Sequence, residues 1–268
     1  MLGVPVILDD RLIGVVTVGR DVPGLFADRE VELVKTFADQ AAIAIANARL
    51  LDTVERQRTE LSRFLSPQVA ALISSEQGEQ LLAGHRAYNT CLFSDLRGFT
   101  RFAETAAPEE LFEVLRPYHE MIGELIRSHG GTLEHFAGDG ILVFFNDPVA
   151  VDEHELAAIR LALAAQERFE ELARVWRKRG TELGLGIGIE AGYATVGRIG
   201  FEGRYDYAAL GSVTNLASRL STHASAGQIL VGPRVFAAVE ETVNTETVGS
   251  LDLKGFGRSI PAYEVQGL

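Results

Sequence analysis

Two aspartates come first. Asp95 closes an apolar strand in FSDLRGFT, and Asp139 sits in the turn AGDG between two apolar runs, TLEHF and ILVFF. If the first strand lies beside that hairpin, the two carboxylates meet at one sheet edge, where they repel unless a cation lies between them. Hard oxygen ligands working on a phosphate substrate suit Mg²⁺ or Mn²⁺. Each aspartate also has a plainer reading. Asp-Gly between apolar runs is a common hairpin turn, and an aspartate at a strand end often acts as a cap. A second pair, Asn215 and Arg219 in LGSVTNLASRL, falls on one face of a helix by its spacing. Taken alone, these two read as a helix cap and a solvated charge.

The elements that must hold these residues begin near Tyr88. YNTCLFSD reads as a strand and Pro108 to Gly130 as a helix broken at Pro117. TLEHF and ILVFF follow as a hairpin, Glu153 to Arg179 as a long helix, and LGLGIGIEAG as a returning strand. The order βαββαβ is that of an α+β, ferredoxin-like sheet with helices on one face. Additional strands and helices continue it: ATVGRIG, RYDYAAL, a helix from about Asn215, QILV, a helix from Pro233, and a last strand pair around Val248 to Lys254 and Pro261 to Val265.

Ahead of this lies a different pattern. PVILDDRLIGVVTVGR reads as a hairpin with an acidic tip, followed by a helix that starts after the cap candidate Asp28. Val34, Phe37, Ala41, Ala44, Ala48 and Leu51 mark a seam of alternating three and four spacings. The stripe then changes face to Val54, Leu61 and Leu65, as at a coiled-coil discontinuity. Two readings stay open: an amphipathic helix packed on its own domain, or a parallel dimer stalk. Ser66-Pro67 interrupts the helix, and SSEQGEQ at Ser74 to Gln80 reads as a polar linker. The IGVVTV strand, FADRE at Phe26 to Glu30 and AAIAIANARL at Ala41 to Leu50 resemble the C-terminal part of a GAF sensor domain. The division expected is a partial GAF-like segment (1–50), a helical stalk and linker (51–84) and a catalytic domain (85–268).

Composition narrows the partners. The chain has 268 residues, 47% of them hydrophobic, enough to bury a core. Its net charge of −12 disfavours nucleic acid and anionic membrane as partners. The longest apolar run, Ala41 to Ala46, falls far short of the about 20 residues that a membrane span needs. No signal-peptide pattern starts at Met1, and Cys91 is the single cysteine, which together point to a reducing, cytoplasmic setting.

From His85 onward the motif set FSDLRGFT, AGDG, GYATVGRIG and LGSVTNLASRL resembles the catalytic domain of class III nucleotidyl cyclases. The resemblance implies a homodimer with shared active sites that converts ATP to 3′,5′-cyclic AMP and pyrophosphate, with two Mg²⁺ or Mn²⁺ ions per site. Asp95 and Asp139 would hold the metals beside the Leu96 carbonyl. Asn215 would orient the ribose, and Arg219 would stabilise charge on the α-phosphate. Gly98, Phe99, Thr100 and Lys254 would bind the triphosphate. At the base positions of the family this chain carries His135 and Ala208. A histidine can donate to adenine N1, but alanine offers no acceptor to the adenine amino group. Asp206, two residues before Ala208, or a backbone carbonyl is the expected substitute, while Glu134 is expected on the opposite sheet face from His135. Gly186 stands where some relatives carry a phosphate-binding arginine. A guanylyl or dual cyclase, and a catalytically silent dimerisation or nucleotide-sensing module, are the alternatives.

Overall fold

The computed structural model describes residues 1–62, 65–75 and 78–268, and the chain divides into two compact units, Met1–Leu65 and Ser66–Leu268. In the first unit β1 (Leu2–Leu8) and β2 (Arg11–Val18) form an antiparallel hairpin. Its tip residues Asp9 and Asp10 both have positive φ, 48° and 59°, the backbone that a tight hairpin turn requires. Helix α1 (Asp28–Ser62) follows as a single element. Asp28 is its first residue rather than its cap. The start is held instead by the Glu30 carboxylate, which accepts from the Ala27 amide at 2.8 Å. Val34, Ala38 and Ala42 bury one face of α1 against Val4 and Val6 of the hairpin, whereas the seam residues Phe37, Ala44, Ala48 and Leu51 are exposed. The first half of the helix thus packs on its own unit through a neighbouring stripe. The side chain of Leu61, in the second stripe, lies outside the described residues, as do Glu76 and Gln77 of the expected linker.

The second unit opens where Ser66, extended at ψ 144°, precedes Pro67 at the start of α2 (Pro67–Ile73). A short α3 (Gly78–Leu82) occupies the rest of the expected linker. Then come β3 (His85–Arg97), α4 (Phe99–Thr105), α5 (Pro108–Ser128), β4 (Thr132–Ala137), β5 (Gly140–Phe145), α6 (His154–Arg177) and β6 (Gly184–Phe201). β7 (Arg204–Leu210), α7 (Ser212–His223), β8 (Ile229–Val231), α8 (Pro233–Val239), β9 (Asn244–Leu251) and β10 (Ile260–Gly267) complete the unit. The sheet order is β4-β5-β3-β6-β8-β10-β9, with β7 paired to the outer half of β6.

Helices α5 and α6 cover one face, burying Val114, Tyr118, Ile122, Ile159 and Ala165 on Leu92, Ile187 and Ile189. Contrary to the expected break, α5 continues through Pro117. The carbonyl that loses its bond belongs to exposed Glu113, which water can satisfy, and buried Val114, Tyr118 and Met121 hold both halves to the sheet. The opposite face buries Cys91, Phe144 and Tyr207 under α2 and α7. Burial pushes the Cys91 thiol up to about 12, so this cysteine is an inert core residue. ATVGRIG, expected as a separate strand, continues β6 without interruption.

Glycine fixes where α7 lies. A Cβ built on Gly188 would fall 2.1 Å from the Ser221 amide nitrogen and 2.3 Å from the Ala217 carbonyl. Only a strand without a side chain there lets the helix backbone rest on β6. β4 carries a bulge, because Leu133 pairs with Val143 but His135 pairs with Leu142. The extra residue, Glu134, breaks the alternation of side chains.

Candidate active site

Register brings the acidic residues together. Asp95 lies opposite Gly186 in the β3–β6 ladder, and Ser94 lies opposite Ile141 of β5, so the end of β3 reaches the β4–β5 turn. There Asp139 stands close enough to Asp95 for their charges to couple, and Asp95 Oδ1 lies 3.8 Å from where a Cβ on the next residue, Gly140, would stand. Burial, followed by the charge of Asp95, raises the Asp139 pKa above the usual carboxylate range. Two carboxyl groups crowded in this way form a place where a cation would relieve the repulsion. All donors there are oxygens, and two carboxylates with open positions for phosphate oxygens fit Mg²⁺ or Mn²⁺. Among the described residues no cluster of three or more His, Cys, Asp or Glu side chains forms a denser metal site.

Two residues that sequence reasoning missed support this corner. The Arg97 guanidinium bonds Asp95 Oδ2 at 2.5 Å and the Ala224 carbonyl at 2.7 Å, and it also bonds the Ser221 carbonyl. A Cβ on Gly186 would lie 2.6 Å from Arg97 Nη2 and 2.8 Å from Nε. The space over Gly186 therefore holds a guanidinium delivered from the neighbouring strand. The available signal was Arg97 standing two residues after Asp95, on the same strand face. His119 of α5 packs at a tilt on Phe136, 4.4 Å between ring centroids, and lies 3.2 Å from the Gly138 carbonyl, which pins the turn that carries Asp139. Burial lowers its pKa.

Next to the carboxylates, Gly98 turns the chain into α4 with φ 85°, and a Cβ there would meet the Glu182 carbonyl at 2.9 Å. Phe99 and Thr100 form the first turn of α4, so their amides have no partner within the helix.

The second group of residues lies elsewhere. Gly211 precedes α7, so Asn215 lies inside the helix and does not cap it. Val213, Leu216, Ala217 and Leu220 are buried, leaving Asn215 and Arg219 exposed on the other face. Among the described residues no hydrogen bond or ion pair ties either one to Asp95 or Asp139. Lys254 is exposed in the loop between β9 and β10, which the Ser259 hydroxyl closes by donating to Asp252 at 2.5 Å.

The base positions hold a correction. Ala208 is buried in β7 and Asp206 is exposed. Glu134, expected on the far face, is carried by the bulge to the free edge of β7, where its Oε2 accepts from the Ala209 amide at 3.1 Å. His135 sits beside it, with Nδ1 3.6 Å from Glu134 Oε1. Burial pushes the Glu134 carboxyl up to about 7, and the nearby charge of Asp206 adds to the shift.

Residues 85–267 match the family described as the adenylate and guanylate cyclase catalytic domain, and residues 1–45 match the GAF domain. An adenylate cyclase of Rhizobium meliloti is 33% identical over 189 residues, covering 69% of this chain and 28% of that protein. One from Anabaena cylindrica is 29% identical, covering 84% of this chain and 46% of that protein. The chain thus spans less than half the length of these curated relatives. Among solved structures, the adenylyl cyclase CyaB from P. aeruginosa superposes with a TM-score of 0.66 at 33% identity, covering 68% of this chain and 95% of that one. The guanylyl cyclase Cya2 gives 0.64 at 34% identity, covering 69% and 94%.

Proposed function

Since the chain belongs to the adenylate and guanylate cyclase catalytic domain family, we propose that it converts ATP to 3′,5′-cyclic AMP and pyrophosphate as a homodimer. The observation that carries this reading is the convergence of Asp95 and Asp139 at one sheet edge, where the charge of one acts on the other. Those carboxylates and the Leu96 carbonyl would hold two divalent ions, which when bound favour the 3′-alkoxide and draw charge from the phosphates. The first-turn amides of α4 at Phe99 and Thr100, opened by the turn at Gly98, bind triphosphate oxygens next to the aspartates. Asn215 holds the ribose so that its 3′-oxygen is in line with the α-phosphorus. Arg219 places its guanidinium where negative charge grows as pyrophosphate leaves. Lys254 receives the terminal phosphates.

Asn215 and Arg219 face outward from the subunit that carries them, so they serve the aspartates of a second copy. Another surface of the unit is also suited to a second copy. Tyr193, Phe201 and Leu210, on one face of the β6–β7 arm, are each more than half exposed, an apolar stretch that suits a subunit contact. The GAF-like segment and α1 would then form the regulatory input and stalk of this dimer. No helix among the described residues is long and apolar enough to cross a membrane.

Relatives of near-equal identity comprise one adenylyl and one guanylyl cyclase, so similarity alone does not choose the base. The test is incubation of the purified chain with Mn²⁺ and either ATP or GTP, identification of the cyclic product by mass, and Asp139→Ala as control. Cyclic AMP from ATP that disappears in the variant supports the reading. No cyclic product from either nucleotide overturns it.

A further inference from the structure

We propose that Glu134 and His135 together read the edge of the purine, with Glu134 Oε1 accepting from the exocyclic 6-amino group and the His135 imidazole donating to ring N1. This rests on the cyclase reading above and names the part of the site that selects the base. The Ala208 side chain cannot supply an acceptor, and the exposed Asp206 is not the only carboxylate near the β7 edge.

The β4 bulge is the structural cause. In an unbroken strand Glu134 and His135 would project to opposite faces. The register shift between Leu133 and His135 abolishes that alternation. Glu134 spends one oxygen on the Ala209 amide, which fixes the carboxyl group against the residue that follows Ala208. Its second oxygen lies 3.6 Å from His135 Nδ1, beyond a hydrogen bond, so an acceptor and a possible donor stand side by side without satisfying each other. Adenine presents the complementary order on its pairing edge, a donor at the 6-amino group next to an acceptor at N1. The Glu134 side chain is only 9% exposed while that of His135 is 50% exposed, so the acceptor forms the floor and the imidazole the rim. An acceptor buried this far rejects a base that brings no donor, because one side of the contact is then left unpaired.

The ligand itself supplies the most direct test. Binding of 3′-deoxy-ATP and of the 3′-deoxy triphosphate of unsubstituted purine riboside, which lacks the 6-amino group, is measured by calorimetry with the wild-type chain and Mn²⁺. Loss of the amino group is expected to weaken binding about tenfold or more. In Glu134→Ala the two analogues should bind alike, and the ATP-over-GTP ratio of kcat/KM should fall by a similar factor. His135→Ala, on the rim, is expected to weaken both analogues equally, because both keep ring N1. Equal binding of the two analogues by the wild-type chain overturns the proposal, whether or not Glu134→Ala folds, and so does a wild-type preference for 3′-deoxy-GTP. These outcomes are distinct from failure of the cyclase reading, which would be absence of any cyclic product from wild-type protein.

Discussion

The two halves of the site are built in opposite ways. Asp95 and Asp139 are tied into their own subunit, the first by Arg97 and the second by the turn that His119 pins. Asn215, Arg219 and Lys254 are exposed, and among the described residues no hydrogen bond or ion pair holds Asn215 or Arg219 against the aspartates. A group that must carry a cation has to be held against electrostatic repulsion before any substrate arrives, and this takes packing and hydrogen bonds inside one fold. A group that meets charge arising only during the reaction needs an open face and a partner. The difference teaches that one chain can assemble the acidic corner alone, while the proposed reaction would require two.

Breaking the packed half should have the largest effect. Asp139→Ala is expected to lower kcat by about 10²- to 10³-fold or more, several kcal/mol of transition-state stabilisation, while the thermal unfolding temperature holds or rises. Removing one of two crowded carboxyls relieves repulsion, so a large fall in that temperature would show that Asp139 serves the fold more than the chemistry. Arg97→Ala sharpens the comparison at an intermediate level. Asp95 loses the guanidinium that fixes its position, and kcat at saturating Mn²⁺ should fall roughly tenfold. An unchanged kcat would make Arg97 a structural filler over Gly186.

The smallest expected effect concerns a buried acid outside both halves. Glu190 is 1% exposed, its Oε2 has no partner, and burial pushes its carboxyl up to about 7. Because the folded pKa exceeds the unfolded value, the stability this group contributes is complete below about pH 4.5 and is lost as pH rises through about 7. Glu190→Gln removes that titration. Relative to wild type, its unfolding temperature should therefore improve by roughly 3 °C or more between pH 5 and pH 8. A difference that stays constant across this range would mean that Glu190 is not protonated in the fold.

Much of the fold is legible in the residues. The βαββαβ order follows from apolar runs and their breaks, and the β3 and β5 runs place Asp95 and Asp139 at neighbouring tips. The helix that carries Asn215 and Arg219 is plain from its apolar spacing, although its start at Ser212 requires recognising Gly211 as the preceding break. What escapes reading is register. That Arg97 would fill the space over Gly186 depends on how β3 and β6 slide past each other. Glu134 is misread because an alternation argument assumes an unbroken strand, and the bulge at that very residue reverses its face. Pro117 misleads for a different reason, since tertiary packing on both sides outweighs a single lost backbone bond.

The central claim is that the two halves act from different subunits, and mixing two inactive variants tests it most directly. Asp139→Ala and Arg219→Ala proteins are each expected to be nearly inactive alone. Combined and allowed to exchange subunits, they should form heterodimers in which one of two sites draws both intact aspartates from one chain and an intact arginine from the other, and about a quarter of wild-type activity should return. If the mixture stays as inactive as its components while subunit exchange is demonstrated, the two halves work within one chain and the account is wrong.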